Sequence, residues 1–239
     1  MTLKRFIRVF LYTFSMYVVT HIIVFTLLPI GILMIAIAPD SIPKIKQIFT
    51  ELLFRIVGKR LNVSGLNHIE EGERYLIISN YPSFYAGFAL INLFPDAAVV
   101  AHAFIKNIPL LGLFMKRIGT IFVNPSKGKR STRAIDMGLS EQEARSIIIF
   151  PEGERTTDGL IHRFKRGFIY ILRSSSLDLL QVTLSGFYQL KPMKRIYLDP
   201  DAQPKIIIHP PLSNVQAREM SDRELLETAT KMIQSAYIP

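Results

Sequence analysis

The sequence contains no cysteine, which removes disulfides, thiolate nucleophiles and Cys-based metal sites together. Long polar or low-complexity stretches are few in its 239 residues, and nearly half the residues are apolar, so disorder is excluded as the dominant state. Acidic residues are outnumbered, 19 Asp+Glu against 29 Lys+Arg, for a formal charge of +10. That balance suits a membrane surface or a nucleic acid as readily as plain solubility, and composition does not choose among them. The length accommodates one domain of ordinary size with one appended element and leaves little room for two full domains.

Charge itself is missing from Val9 to Pro39: these 31 residues hold no Asp, Glu, Lys or Arg, and 23 of them are apolar. A membrane span takes roughly 20 residues, whereas a signal peptide has an apolar region of only about 7–15. The Ala-Ile-Ala at 36–38 also runs into Pro39, a poor cleavage neighbour. Residues 1–40 are therefore expected to anchor the chain in a membrane, with Lys4, Arg5 and Arg8 ahead of the apolar run. Two topologies fit. A single span with the basic leader inside would carry residues 41–239 across. A break at Pro29-Ile30-Gly31 would instead make a monotopic hairpin of two half-length helices, returning to the same face. The positive charge beyond the anchor narrowly favours the hairpin, with the domain beside an anionic cytoplasmic leaflet, although large domains translocate largely regardless of charge.

Residues 41–60 follow as an amphipathic helix, with Ile45, Ile48, Phe49, Leu52, Leu53, Ile56 and Val57 spaced by threes and fours between Ser41-x-Pro43 and Gly58. Over residues 61–239 short apolar runs alternate with helical patterns. Strands are expected at Arg74–Ser79, Ala97–Ala103, Thr120–Asn124, Ser146–Phe150, Leu179–Leu184, Arg195–Leu198 and Lys205–His209. Helices are expected near Phe84–Phe94, Pro109–Ile118, Thr132–Arg145, Lys165–Ser174 and Asp222–Ala236. This alternation predicts an α/β domain, a mostly parallel sheet flanked by helices behind the N-terminal anchoring segment. Ligands in such folds sit beyond the carboxyl ends of strands, which directs attention to the residues after Ser79 and Phe150.

After Phe150 comes Pro-Glu-Gly-Glu-Arg-Thr-Thr-Asp-Gly, then His-Arg-Phe-Lys-Arg-Gly at 162–167. Gly153 would let backbone approach a ligand closely. Arg155 offers a planar fork of donors suited to a phosphate, and Lys165 and Arg166 add positive charge near a helix start. Glu152 could accept from a hydroxyl or fix Arg155. Taken alone, such a loop reads equally as a solvated turn whose charges pair with each other.

The longer string FPEGERT followed by FKRG resembles the third motif of the glycerolipid acyltransferases, the glycerol-3-phosphate and lysophosphatidate acyltransferase type. Lys106-Asn107-Ile108-Pro109-Leu110-Leu111-Gly112, with Arg117, Gly119 and Thr120–Asn124, resembles the family's second motif, and the order of elements matches from about Gly65 to Leu190. The resemblance implies acyl transfer from a thioester to the hydroxyl of a lysophosphatidate-like acceptor. It also implies substrate and phosphate contacts from Glu152, Gly153, Glu154, Arg155 and Lys165. Acyl-coenzyme A or an acyl-carrier protein would be the donor, with membrane lipids and a lysophospholipid as partners and no cofactor.

The family's first motif, Asn-His-x-Ser-x-x-Asp, supplies the general base and its orienting carboxylate. Here the segment reads Asn80-Tyr81-Pro82-Ser83-Phe84-Tyr85-Ala86. Asn80 and Ser83 keep the register, while Tyr81 and Ala86 occupy the His and Asp positions. A phenol with a pKa of about 10 is a poor base near neutrality, and losing a positioned base forfeits roughly 10²–10⁴ in rate. Pro125 and Gln181 depart from the second and fourth motifs in the same way. His162, inside the retained third motif, is the candidate substitute base. The sequence thus supports an acyltransferase-like membrane protein with an altered active site. The alternative is a catalytically inactive relative that binds lysolipid or phosphate as a regulator or partner. The basic run Lys127, Lys129, Arg130, Arg133 lacks the glycine and Ser/Thr placement of a phosphate-binding loop. No aromatic interleaving supports nucleic-acid binding, and no His and carboxylate cluster has metal-ligand spacing.

Overall fold

A computed structural model describes residues 3–124, 135–136, 140 and 145–238. Strands β1 (Asn62–Ser64), β2 (Tyr75–Ser79), β3 (Ala98–His102), β4 (Ile121–Val123), β5 (Ile147–Ile149), β6 (Asp178–Ser185) and β7 (Lys205–Ile208) form one sheet in the order β1-β7-β6-β2-β5-β3-β4. The run from β6 to β4 is parallel throughout. β7 returns antiparallel beside β6, and β1 pairs parallel with β7. All five residues of the central β2 are buried, as expected of a strand covered on both faces.

Each face has its own core. On one, α2 (Ile42–Ile56) and α3 (Phe84–Leu93) bring Leu53, Phe54, Ala86 and Leu90 against Ile77, Leu180, Val182 and Leu184. On the other, α5 (Gly167–Arg173) and α8 (Asp222–Ser235) set Phe168, Leu172, Leu225 and Ile233 against Leu76, Ile78, Ile147 and Leu179. A capping box of Ser221 and Glu224 starts α8. The short helices α4 (Leu111–Arg117), α6 (Phe187–Leu190) and α7 (Asn214–Glu219) complete the element set among the described residues, apart from three short 3₁₀ turns.

The predicted α/β organisation is present, with local corrections. Arg195–Leu198 is not a strand: its backbone bonds side chains of the N-terminal helix instead of a ladder, Ile196 O accepting from Tyr17 Oη and Leu198 N–H donating to Thr13 Oγ1. The three-residue β1 was missed because one apolar residue carries no period. Of the expected helix Thr132–Arg145 only residues 135–136 and 140, which are helical, and Arg145, which is not, are described, while Pro125 and the basic run 127–133 lie outside the described residues.

The N-terminal helix α1 (Leu3–Ile37) is one unbroken element of 35 residues with Pro29 inside it, so the chain does not turn back at 29–31. It lies against the domain at two stretches, near residues 5–17 and 28–35. Arg5 and Arg8 pair with Asp199 and Asp201, Tyr12 Oη donates to Val57 O, and Leu28 and Ile35 pack with Ile42, Ile45, Phe114 and Met115. The opposite face exposes Phe6, Phe10, Phe14, Ile22, Phe25 and Leu33. A helix that is apolar all round needs apolar surroundings all round, and the protein covers only one side.

Candidate active site

The carboxyl ends of β2 and β5 lie side by side, with Ile78 and Ile149 in register. This brings residues 80–83 against residues 150–156. Asn80 is buried at the end of β2, where its amide both donates to Leu184 O (2.9 Å) and accepts from Leu184 N–H (2.8 Å). It prolongs the β2–β6 pairing by a side chain. Ser83 caps α3, its hydroxyl accepting from Tyr85 N–H, and is likewise buried. Both first-motif remnants are therefore structural anchors of the loop between them.

Glu152 does not reach for a hydroxyl or for Arg155. It is 4 % exposed, and its two oxygens accept the backbone N–H of Tyr81 (2.7 Å) and of His162 (2.9 Å). Burial pushes its pKa up, against the pull of those two N–H donors. Thr156 N–H closes the same junction on Tyr81 O. The third motif thus holds the first-motif loop by backbone contacts on both sides of residue 81.

The Tyr81 ring stacks on Phe150 with centroids 4.1 Å apart and planes 15° apart. Its hydroxyl makes no hydrogen bond among the described residues, and burial raises its pKa despite the positive charge of nearby Arg155. That direction takes the phenol further from acting as a base. Ala86 is fully buried in the core beside α2 and faces no open space that a carboxylate could share with water.

Below the Tyr81–Phe150 stack opens an apolar cavity of about 450 Å³, lined by Phe84, Gly87, Phe88, Val100, Met115 and Ile149 among others. Neither Phe84 nor Tyr85 plugs it: Phe84 stands on the wall edge-on to Phe88 (4.9 Å), and Tyr85 turns into the core. The signal for this cavity was in α3, whose sequence FYAGFALINL is apolar on every side. One face is covered by the sheet and α2, so the other needed an apolar partner that the chain does not supply in full.

Cations gather nearby: Lys165 and Arg166 line the cavity, and the charge of Arg155 is felt at both Tyr81 and Lys191. Arg155 makes no hydrogen bond or ion pair with any described residue. Lys165 and Arg166 line the cavity mouth in the turn before α5, and Lys165 folds over Gly153. Gly153 has φ +78°, and a Cβ there would meet Lys165 Nζ at 2.7 Å. Glu154 sits exposed at the tip of the turn. Lys191, which sequence reading passed over, adds to this field: burial lowers its pKa, and Arg155 and Arg195 push the same way.

Two histidines come near. His102 lines the cavity at the end of β3, but its Nδ1 lone pair accepts from Phe104 N–H (3.1 Å), so its other nitrogen is a donor and not a base. His162 lies outside the cavity wall, half-exposed, with Nε2 3.0 Å from Asp158 Oδ1. Asp158 is the second residue the sequence reading missed. It is held in turn by Thr156 Oγ1 and Leu160 N–H.

The fold places the 80–83 and 150–156 loops and the apolar cavity together as one candidate site. A family model named Acyltransferase matches residues 60–185, just over half of the chain, and the chain belongs to that family. Among similar proteins is the 1-acyl-sn-glycerol-3-phosphate acyltransferase of Saccharomyces cerevisiae, 28 % identical over 143 residues, covering 58 % of this chain and 47 % of that protein. The enzyme of the same name from Limnanthes douglasii is 28 % identical over 188 residues, covering 74 % and 66 %. This chain therefore spans roughly half to two-thirds of the length of these curated relatives. The crystal structure of the 1-acyl-sn-glycerophosphate acyltransferase PlsC from Thermotoga maritima superposes with a TM-score of 0.80, covering 97 % of this chain and 95 % of that one. At 20 % identity it speaks for the fold alone.

Proposed function

We propose that this protein sits on a membrane surface and binds a lysophosphatidate-like lipid. In this reading the acyl chain occupies the cavity beneath Tyr81, and the phosphate lies among Arg155, Lys165 and Lys191. Acyl transfer from acyl-coenzyme A or acyl-carrier protein lacks its usual general base. The observation that carries this reading is an open apolar cavity lined by Tyr81, Lys165 and Arg166, with Arg155 close to Tyr81 and without a hydrogen-bond or ion-pair partner among the described residues, in a site where Ala86 is sealed. An acyl chain transfers readily from water into such a cavity. A planar guanidinium with free donors suits a phosphate.

The anchoring part of the proposal concerns α1. A helix bonded to the domain near residues 5–17 and again near 28–35 cannot cross a bilayer without dragging the domain in. It therefore lies in the plane of the leaflet with Phe6, Phe10 and Phe14 in lipid. The net charge of +10 favours an anionic cytoplasmic face.

A second reading has one observation in its favour. Asp158 holds His162 by Nε2, which leaves Nδ1 as a free lone pair, and His162 shares the Glu152 carboxylate with Tyr81. This is a His–Asp pair beside the place where the family's pair belongs, and it would serve an active enzyme.

The test uses the full chain in liposomes with lysophosphatidate, monoacylglycerol and labelled acyl-coenzyme A. Lysophosphatidate is expected to bind, with affinity falling about tenfold or more in Arg155→Ala and monoacylglycerol unaffected. Equal binding of both lipids by the variant and the parent would sink the phosphate assignment. Turnover that disappears in His162→Ala would install the second reading in place of the first.

A further inference from the structure

The exposed apolar side chains of this molecule are not confined to α1. The segment 192–197, Pro-Met-Lys-Arg-Ile-Tyr, follows α6 at the same end of the sheet as the candidate site. It exposes Met193 (49 %), Ile196 (77 %) and Tyr197 (44 %). A single exposed isoleucine is ordinary, but three apolar side chains on one six-residue loop are a patch.

Two cations are committed to carbonyls in and beside the loop. Lys191 Nζ donates to Pro192 O and Arg195 O. Arg195 donates to the carbonyls of Gln189, Leu190 and Tyr197 and lies over the Tyr197 ring at 4.5 Å. The cations thus brace the loop from inside and leave its apolar side chains pointing outward in a preset shape. Residues 192–197 contain no acid, and Lys194 is exposed. The nearby acids Asp199 and Asp201 are paired with Arg5 and Arg8. What remains is apolar with a positive fringe, complementary to an anionic lipid surface.

The loop is also bolted to α1. Tyr17 Oη donates to Ile196 O at 2.8 Å and Leu198 N–H to Thr13 Oγ1 at 3.1 Å, besides the two Arg–Asp pairs. If the outer face of α1 rests in lipid, a residue bonded to Tyr17 lies within one helix diameter, about 10 Å, of that lipid.

We infer that residues 192–197 form a second membrane-insertion element, seating Met193, Ile196 and Tyr197 in an anionic leaflet beside α1. The inference rests on the membrane reading of α1 given above. It gives Lys191, whose charge is felt together with that of Arg155, a position at headgroup level, so that an anionic lysolipid reaches the cavity rim without leaving the leaflet.

The chain has no tryptophan, so one introduced indole can be excited at the red edge apart from the tyrosines. Ile196→Trp, Phe14→Trp on α1 and Glu219→Trp on the exposed side of α7 would each be made in the full chain. Each would be added to vesicles of phosphatidylcholine carrying brominated acyl chains, with and without phosphatidylglycerol. A blue shift and bromine quenching are expected for Ile196→Trp and Phe14→Trp and not for Glu219→Trp. Ile196→Asp is expected to lower vesicle partitioning about tenfold. Quenching at Phe14→Trp alone would overturn the inference and leave the membrane reading standing. Quenching at neither would overturn the membrane reading and the inference with it. Quenching at all three would mean unfolding onto lipid and would also overturn it, as would equal quenching at Ile196→Trp in vesicles without phosphatidylglycerol.

Discussion

The backbone N–H of Tyr81 donates to Oε1 of Glu152 at 2.7 Å, so the third motif holds the first through a buried carboxylate. Its other oxygen takes the N–H of His162. Glu152→Ala strands both donors and leaves a cavity, and is expected to destabilise the protein by about 2–4 kcal/mol in urea unfolding. Glu152→Gln keeps one acceptor and should fall between the two. Any loss of lysolipid binding in these variants should follow the loss of stability, because Glu152 positions the loop and does not face the cavity. A Glu152→Ala protein of parental stability would refute that role.

Tyr81→His together with Ala86→Asp rebuilds the pair that the family resemblance implies. The double variant is expected to raise acyl transfer in liposomes by roughly 10²–10⁴ over the parent, the usual worth of a positioned base. Ala86→Asp alone should cost several kcal/mol, about 3, because its carboxylate enters a closed core without a partner. A double variant no faster than the parent would show that more than the base has been lost.

Lys46 on α2 is 2 % exposed, and among the described residues its ammonium has a single acceptor, Ala97 O at 2.7 Å. Burial, with a smaller push from Arg145, lowers its pKa to about 8. The folded state therefore binds fewer protons than the unfolded state between about pH 8 and the ordinary lysine value of about 10.4, and stability rises with pH across that window. Below pH 8 the charged Lys46 is a full cost. Lys46→Met is expected to be more stable than the parent by about 2 kcal/mol at neutral pH. The gap should close as pH rises toward 10.4. A gap independent of pH would assign the effect to packing.

Gln181 lies in β6 at 2 % exposure, with an amide nitrogen that has no hydrogen-bond partner among the described residues. An unsatisfied buried donor costs about 1–3 kcal/mol. Gln181→Met, of similar shape, should raise stability by about 1 kcal/mol without changing lysolipid affinity. Destabilisation on this change would mean that the amide oxygen carries more than the nitrogen loses.

Much of this molecule was legible as a string. The uncharged run before Pro39, the alternation that builds the sheet, and the register of Asn80 and Ser83 with the missing His and Asp are all properties of residue order. They depend on local periodicity and on which chemical groups are present or absent, and they were sufficient to identify the family. The roles of single side chains were not legible. Glu152 reads as a ligand-binding carboxylate and proves to be a brace between loops, because only the packing of β2 against β5 decides which donors surround it. Arg195–Leu198 has the composition of a strand and becomes an irregular loop, because α1 reaches it with Tyr17 and Thr13 before any strand can. α1 is long enough to span a bilayer, yet the domain holds it at two stretches. In each case the contacts join residues distant in the chain, and such contacts are set by the folded arrangement of whole elements and not by the residues next door.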